Sequence, residues 1–592
     1  MRIIFVLIFC LMLQCGSYAQ SNTLKEKQMN TTRNELAIRL KDYIQKEMYQ
    51  RKIVGLSVAI VDSNGILLSN GFGKANKENN IPADDSTLFP IASITKTFTG
   101  IAVMQLVEQG LIDLDKPIGT YIEELSLPNN EEDIITTRML LTHHSGIQGD
   151  ILYNWYLPNV SKDPLIYEQV VNLINEAGTI FTPGKLHSYC NAGYSLLGVL
   201  IHKVSGTPYV EYIRSNILSP LEMTNSIVFA GENSNAFISK GYDKRKVSEM
   251  PMKLGIPAGG MALSANDAAK YMMAIINSYH GNSTLLNAVT MKKMMTQQNS
   301  NVILDKGFSI GFTWFLQDPI GEHTKYAAHR GELPPYHAMM IILPELKIGV
   351  LISVNNNKAA TAPDEMTHKI IADLYEYYTG KAIPIKEPEK IISLNREQVK
   401  QYEGTYPNVY FGPMTVKLKG KKLFLKSSVI PIPLSLTPLA DSTFAVKAKL
   451  FGFIPLPIKL LKALKVEFRE NEGDKYLYFI IQNSMLNPNI KVESFDLPQD
   501  YINYSGKYKV INMENSDRVV KNIKVDIKSS REYGILKYTF LGRHKFNLVI
   551  RSIDKKNARI AGIGSFMGDK IHWETSDGKV LMYWSGLILE KQ

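Results

Sequence analysis

The chain has 592 residues, 45% of them hydrophobic and 21% charged, with 40 glycines and 27 prolines. This exceeds the roughly 250–300 residues at which one hydrophobic core stops growing, so two or more domains are expected, and the composition excludes disorder, collagen and coiled coil as descriptions of the whole. The net charge of +11 is unevenly placed: residues 1–390 carry 35 basic and 37 acidic side chains, whereas 391–592 carry 32 and 19, which makes the last third a distinct basic part.

Met1-Arg2 precedes an apolar run from Ile3 to Leu13 and a small-x-small site at Ser17-Tyr18-Ala19. This is the pattern of a secretory signal over residues 1–19, cleaved after Ala19. The run is shorter than the ~20 residues that a spanning helix needs. A rival reading acylates Cys15 as a lipoprotein anchor, but Gln14 stands where that signal holds a small residue. The expected location is therefore the periplasm or the exterior. Cleavage leaves Cys190 as the last cysteine, so stability has to come from cores rather than from an intramolecular disulfide.

Residues 33–50 have helical spacing, and Val54–Val61 and Gly65–Phe72 read as a strand pair turning at Asp62-Ser63-Asn64-Gly65. Ser93–Gln109 is helical again, with Gly110 as a stop, and further helices are predicted at 165–177, 191–205, 265–279 and 286–298. Strands return at Gly307–Gln317, Tyr336–Leu343 and Lys347–Val354, before a helix near 363–378. Strands at both ends with helices between predict an α+β domain over 33–380, its sheet closed by distant parts of the chain. A Pro-rich, charged linker follows at 381–394. Beyond it lie short alternating stretches such as Met414–Leu418, Leu423–Lys426, Lys475–Ile481, Asn522–Ile527 and Ile571–Trp573. Tyr402-x-Gly404-x-Tyr406 recurs as Tyr504-x-Gly506-x-Tyr508, 102 residues later. That spacing predicts two small all-β modules, over 395–490 and 495–592.

Three segments carry chemistry. Ser93-Ile94-Thr95-Lys96 puts a hydroxyl and an amine on one face of a helix start, where a desolvated lysine can take the serine proton and backbone N–H groups can meet an oxyanion. Tyr189-Cys190-Asn191 leads into a helix and offers a phenol base and an orienting amide. His329-Arg330-Gly331 is a strand whose glycine lets a substrate backbone approach. Each also has a plain structural reading as a helix cap, a turn tyrosine or a strand histidine.

Taken in order, these segments resemble the motifs of the serine β-lactamase and penicillin-binding protein superfamily, in its class C-like branch of β-lactamases, DD-peptidases, D-aminopeptidases and esterases. Phe89–Lys96 resembles the first motif and Tyr189-x-Asn191 the second, while His329-Arg330-Gly331 occupies the place of Lys-Thr-Gly. Met139–Gly146, and Gly259-Gly260-Met261 with Ser264 and Asp267, are similar to further family segments. The resemblance runs from about residue 35 to 378 and implies a β-lactamase/transpeptidase-like fold: an antiparallel sheet flanked by helices, with a helical subdomain. It implies Ser93 as the acyl-accepting nucleophile, Lys96 as its proton partner and Tyr189 as general base. Asn191, His329 and Gly331 would contact substrate, and the backbone N–H groups of Ser93 and Glu332 would form the oxyanion hole. No metal or organic cofactor is implied.

The expected substrate is a peptide, ester or amide, foremost a cell-wall-type or D-amino-acid peptide; an esterase or β-lactamase is the alternative. A neutral histidine in place of the third-motif lysine weakens the case for efficient β-lactam hydrolysis. Arg330 is adjacent, but alternate strand residues face opposite ways. A reading of another class is a degenerate, envelope-binding hydrolase; the intact Ser93, Lys96 and Tyr189 argue against it. No nucleic-acid partner is expected. Gly307-Phe308-Ser309-Ile310-Gly311 matches a nucleophile elbow, but the residues after it read as strand, not helix. His143-His144 lacks metal-ligand spacing. In Phe451–Phe468, Lys459, Lys462 and Lys465 could line a membrane-surface helix, although a loop and a strand are favoured.

Overall fold

The computed structural model describes residues 32–592 except 151, 153–164, 229–237, 244–245, 249–254, 283–284, 318–324, 384–388, 410, 428–429, 431, 451–453, 456–460, 462–463, 482–483, 486–487, 493–496, 514–515, 528–532, 541–543 and 565–566. The expected signal segment and the Cys15 anchor lie outside the described residues.

Helix α1 (Arg33–Arg51) starts at a capping box between Thr32 and Glu35 and stops at Lys52, whose left-handed backbone returns its N–H to the last turn. Strands β1 (Gly55–Asp62) and β2 (Gly65–Asn76) form the predicted hairpin, with Asp62 opposite Gly65. After β3 (Ile81–Pro82) come the buried helix α2 (Thr95–Glu108), α3 (Asn191–Ser205) and α4 (Ala265–Tyr279). The chain then re-enters the sheet as β4 (Ser309–Ile310), β5 (Phe315–Gln317), β6 (Tyr326–Leu333), β7 (Tyr336–Leu343) and β8 (Ile348–Val354), and α5 (Ala362–Thr379) completes the unit.

The eight strands run β3-β2-β1-β8-β7-β6-β5-β4, so residues 55–62 pair with 348–354 and the sheet is closed by distant segments. Period-2 alternation divides it. Leu56, Val58, Ile60, Met339 and Ile341 pack under α1 and α5, while Ala59, Val61, Ala338, Met340 and Ile342 face the layer containing α2, α3 and α4. Two sequence expectations change. The predicted strand 307–317 is two short antiparallel strands, with Ile310 opposite Phe315, because Gly311 lies against the Met294 carbonyl and Thr313 turns at φ 71°. The helix predicted over 286–298 ends at Met294, and the Gln298 N–H donates instead to the Ile310 carbonyl at 2.8 Å.

The basic part forms two further all-β units. Residues 404–490 make a ten-stranded sheet whose first strand returns to the last segment through the Thr405–Val492 bridge. Residues 506–591 make a closed eight-stranded barrel, Tyr508 pairing with Lys591. Closure removes the sheet edges that would otherwise template association. The repeated Tyr-x-Gly-x-Tyr has one local structure in both: Tyr406 Oη donates to the Tyr402 carbonyl at 3.1 Å, and Tyr508 Oη to that of Tyr504 at 2.7 Å. Gly404 and Gly506 take φ 152° and 155°, each beneath a lysine stem, of Lys491 and Lys591. In the basic segment Ile454–Pro455 and Leu464–Asn471 are strands, and Lys459 and Lys462 lie outside the described residues. Among the described residues no helix is long and apolar enough to cross a membrane.

Candidate active site

Ser93 stands in the short turn Ala92–Ile94 that feeds α2. Ala92 before it has φ 47°, a left-handed backbone that costs an L-residue about 1–3 kcal/mol and recurs at working sites. The turn is pinned by residue 261: the Ile91 N–H donates to the Met261 carbonyl (3.0 Å), and the Met261 N–H to Thr95 Oγ1 (3.2 Å). Ser93 is half-buried and Lys96 wholly buried.

Lys96 Nζ lies 2.7 Å from Asn191 Oδ1, 2.7 Å from the Ala258 carbonyl oxygen and 3.4 Å from Ser93 Oγ. Both short contacts are to oxygens that can only accept. In a neutral amine they engage the two N–H groups and leave the lone pair for Ser93. Burial supplies that neutral form, pulling Lys96 down from 10.5 to about 7 while the nearby Asp150 charge resists. Asp150 Oδ1 also accepts from Asn191 Nδ2 at 2.8 Å, which fixes the amide's orientation. Asn191 thus joins Asp150 to Lys96 rather than standing free.

Tyr189 is hydrogen-bonded to Ser93, and its ring centre lies 4.8 Å from Lys96 Nζ. Burial raises its phenol above the ordinary value, outweighing the Ser93 bond, so the resting group is a neutral phenol. Tyr189 is held from behind by zipped loops. The Ser188 N–H donates to the His143 carbonyl (2.9 Å), the Asn191 N–H to that of Gly149 (2.8 Å) and the Gly184 N–H to that of His144 (2.8 Å). Cys190 caps α3, its sulfur accepting from the Gly193 N–H at 3.1 Å, and burial pushes its thiol up to about 12.

Backbone partners assign the two nearest imidazoles opposite tautomers. The Cys190 N–H donates to His143 Nδ1 at 3.1 Å, so the His143 proton is on Nε2. His329 Nδ1 lies 2.9 Å from the Arg330 carbonyl, so it carries the proton and Nε2 is an acceptor. Both Nε2 atoms are buried without a hydrogen-bond partner. Burial and the Lys96 charge bring His329 down to about 3, so this position of the third motif is uncharged. Arg330 is exposed on the opposite face of β6, its Nη2 3.4 Å from the Ala360 carbonyl. Gly331 abuts the nucleophile turn: a Cβ there would meet the Ile91 carbonyl oxygen at 2.0 Å. Glu332 follows, with an exposed side chain.

The fold therefore gathers Ser93, Lys96, Tyr189 and Asn191, with His329 and Gly331 along one side. Sequence reasoning missed Asp150, which comes from a segment without periodicity or motif, and the Ala258 carbonyl, a backbone group that the motif beside it does not single out. Gly259-Gly260-Met261 delivers that carbonyl, and Ser264 caps α4 by accepting from the Asp267 N–H at 3.2 Å. Ser309 lies in a two-residue strand with no helix after it. His144 is bound to Asp305 (2.7 Å) and Thr142 (3.0 Å), and among the described residues no cluster of His, Cys, Asp or Glu could hold a metal ion.

The chain is similar to known proteins. "Protein flp" of Staphylococcus aureus (strain MRSA252) is 25% identical over 322 residues, 53% of this chain, and the match covers 62% of that relative's own length. The octameric penicillin-binding protein homologue from Pyrococcus abyssi superposes with a TM-score of 0.51 and 26% identity over 76% of this chain and 99% of its own. SurE superposes with a TM-score of 0.60 over 77% of this chain and 99% of its own, a likeness of fold at 19% identity. Residues 40–374, more than half of the sequence, match the Beta-lactamase family, and the chain belongs to that family.

Proposed function

We propose that the protein is a serine hydrolase that works through an acyl-enzyme on Ser93. The observation that carries this reading is the Lys96 amine, held by two carbonyl oxygens with its remaining position toward Ser93 Oγ. Ser93 loses its proton as it attacks the carbonyl carbon, and the neutral Lys96 receives it. Tyr189, a neutral phenol at rest, acts as base only if its own proton leaves as the Ser93 proton arrives, and Lys96 is the acceptor beside it. The oxyanion is met by the backbone N–H groups of Ser93 and Glu332, in the narrow gap between Ile91 and Gly331. The tetrahedral intermediate collapses as Lys96 gives that proton to the departing amine or alcohol; water then attacks the ester, losing a proton to the Lys96–Tyr189 pair, which passes it to Ser93 Oγ as the acid leaves.

The substrate class follows from the uncharged His329 and the outward Arg330. Neither offers a cation to a carboxylate beside the scissile bond. D-amino-acid amides, esters and peptides that carry no carboxylate beside the scissile bond and present a hydrogen-bond donor to His329 Nε2 fit this site better than β-lactams. Intact-mass detection of an acyl adduct across a D-amino-acid amide, a D-Ala-D-Ala peptide, a short acyl ester and a cephalosporin tests this. The adduct is expected on the wild type and absent from Ser93→Ala. A Ser93→Ala variant with full activity sinks the reading.

A further inference from the structure

The first of the two β units is electrically lopsided. Residues 404–450 hold seven lysines and one acidic residue, Asp441. Period-2 alternation sorts their strands: Val416, Leu423, Leu425, Leu434 and Val446 point into the core of the unit, and the residues between them form its outer face. Lys417, Lys419, Lys422, Lys426 and Lys447 are exposed on that face, and Lys421 at the turn beside it. Lys417 stands opposite Phe424, Lys419 opposite Lys422 and Lys426 opposite Thr415; Phe424 in turn pairs with Ser435, and Ser435 with Lys447. Among the described residues none of these six ammonium groups makes a hydrogen bond or ion pair, and Asp441 is taken by Lys465 at 2.7 Å. The other acids of the unit lie in the hairpin of residues 467–474, where Glu472 and Asp474 meet Lys185 of the first unit.

We propose that this lysine face binds the surface of an anionic bilayer, its ammonium groups among phosphate headgroups and Phe424 between them. Cations directly opposite each other, as Lys419 and Lys422 are, destabilise a sheet. A face that served solubility alone would mix both signs, as the barrel does where Lys537 meets Asp526 and Lys579 meets Glu590. The lysines step ~7 Å along a strand and spread ~14 Å across four strands, so they present a plane of charge rather than a single file. A layer of headgroups matches a plane, whereas one polyanion strand would engage a row and leave the rest unmatched. Phe424, half-buried and two residues from both Lys422 and Lys426, offers apolar area that their stems flank while the charged ends reach the phosphates. Such binding needs nothing from Ser93.

The test is co-sedimentation of the full-length protein with vesicles of phosphatidylcholine, and of phosphatidylcholine mixed with phosphatidylglycerol, at about 0.1 M and about 0.5 M salt. Wild type should bind the anionic vesicles alone and leave them at the higher salt, and Ser93→Ala should do the same. The triple variant Lys417→Gln, Lys422→Gln, Lys426→Gln should bind about 100-fold more weakly, about fivefold per lysine. A control with the same change of charge on the barrel, Lys507→Gln, Lys521→Gln, Lys524→Gln, should stay within about threefold of wild type. Lys447→Gln alone should lose about fivefold, which reads the same face if the triple variant does not fold. A loss below about tenfold in the triple variant, or an equal loss in the control, overturns the proposal. Equal binding to both vesicles, or binding that survives the higher salt, overturns it as well. Capture of soluble polyphosphate without binding to either vesicle also overturns it and assigns the face to a polymer.

Discussion

Gly331 approaches Ile91 so closely that a β-carbon at residue 331 would lie 2.0 Å from the Ile91 carbonyl oxygen. That carbonyl belongs to backbone and cannot swing aside, so any side chain here pushes β6 away from the nucleophile turn. Gly331→Ala should therefore open the oxyanion gap. Loss of one oxyanion donor costs about 100- to 1,000-fold in turnover. Active-site titration with steady-state kinetics checks this, and a loss smaller than tenfold would place the oxyanion elsewhere.

Lys96 sets the pH dependence. Its folded value of about 7 lies below the ordinary 10.5, so the neutral amine is gained as pH rises through about 7. Acylation should climb on that limb and then level off, and the limb should vanish in Lys96→Met. The same shift acts on stability with the opposite reward. The folded state holds fewer protons than the unfolded one between about 7 and 10.5, so it is penalised most below pH 7. Lys96→Met should thus be inactive yet melt higher than wild type at acid pH, as calorimetry would show.

His329→Lys restores a cation at the third motif. The ratio of kcat/KM for a carboxylate-bearing cephalosporin to that for a neutral ester should rise by about tenfold, the worth of one added charge-assisted hydrogen bond. An unchanged ratio would separate substrate charge from residue 329.

The contacts between the first two units are unequal. Lys185 reaches Glu472 (3.0 Å) and Asp474 (3.3 Å), both considerably exposed. Such pairs contribute about 0–1 kcal/mol, so Lys185→Ala should change the melting temperature little. Arg469 donates to the carbonyls of Leu304 and Lys306, in the loop whose Asp305 binds His144. Arg469→Ala leaves those carbonyls to find other partners and should cost about 1–3 kcal/mol in urea unfolding.

Much of this site is legible in the sequence. Ser93 and Lys96 stand one helical turn apart, a local spacing that survives any tertiary context. Tyr189 and Asn191 are readable through their place in an ordered set of motifs. Asp150 and the Ala258 carbonyl are not readable, because they reach Lys96 only through contacts spanning 41 and 162 residues. The sheet shows the same division. The 62–65 turn is local chemistry and is found where predicted, whereas the break at Gly311 is imposed by the Met294 carbonyl. The doubled Tyr-x-Gly-x-Tyr is faint as sequence, yet it marks the same tyrosine-to-carbonyl bond at the mouth of each β unit.

The apolar interior of the barrel runs without interruption into that of the first unit, Val519, Leu548 and Trp573 belonging to the same packed cluster as Phe98 and Leu197. Parts that share an interior melt as one cooperative body. A compound that occupies the site and stabilises the folded state must raise the transition of the whole body. Trp573 and Trp584, deep in the barrel, become native fluorescent reporters of that shared transition.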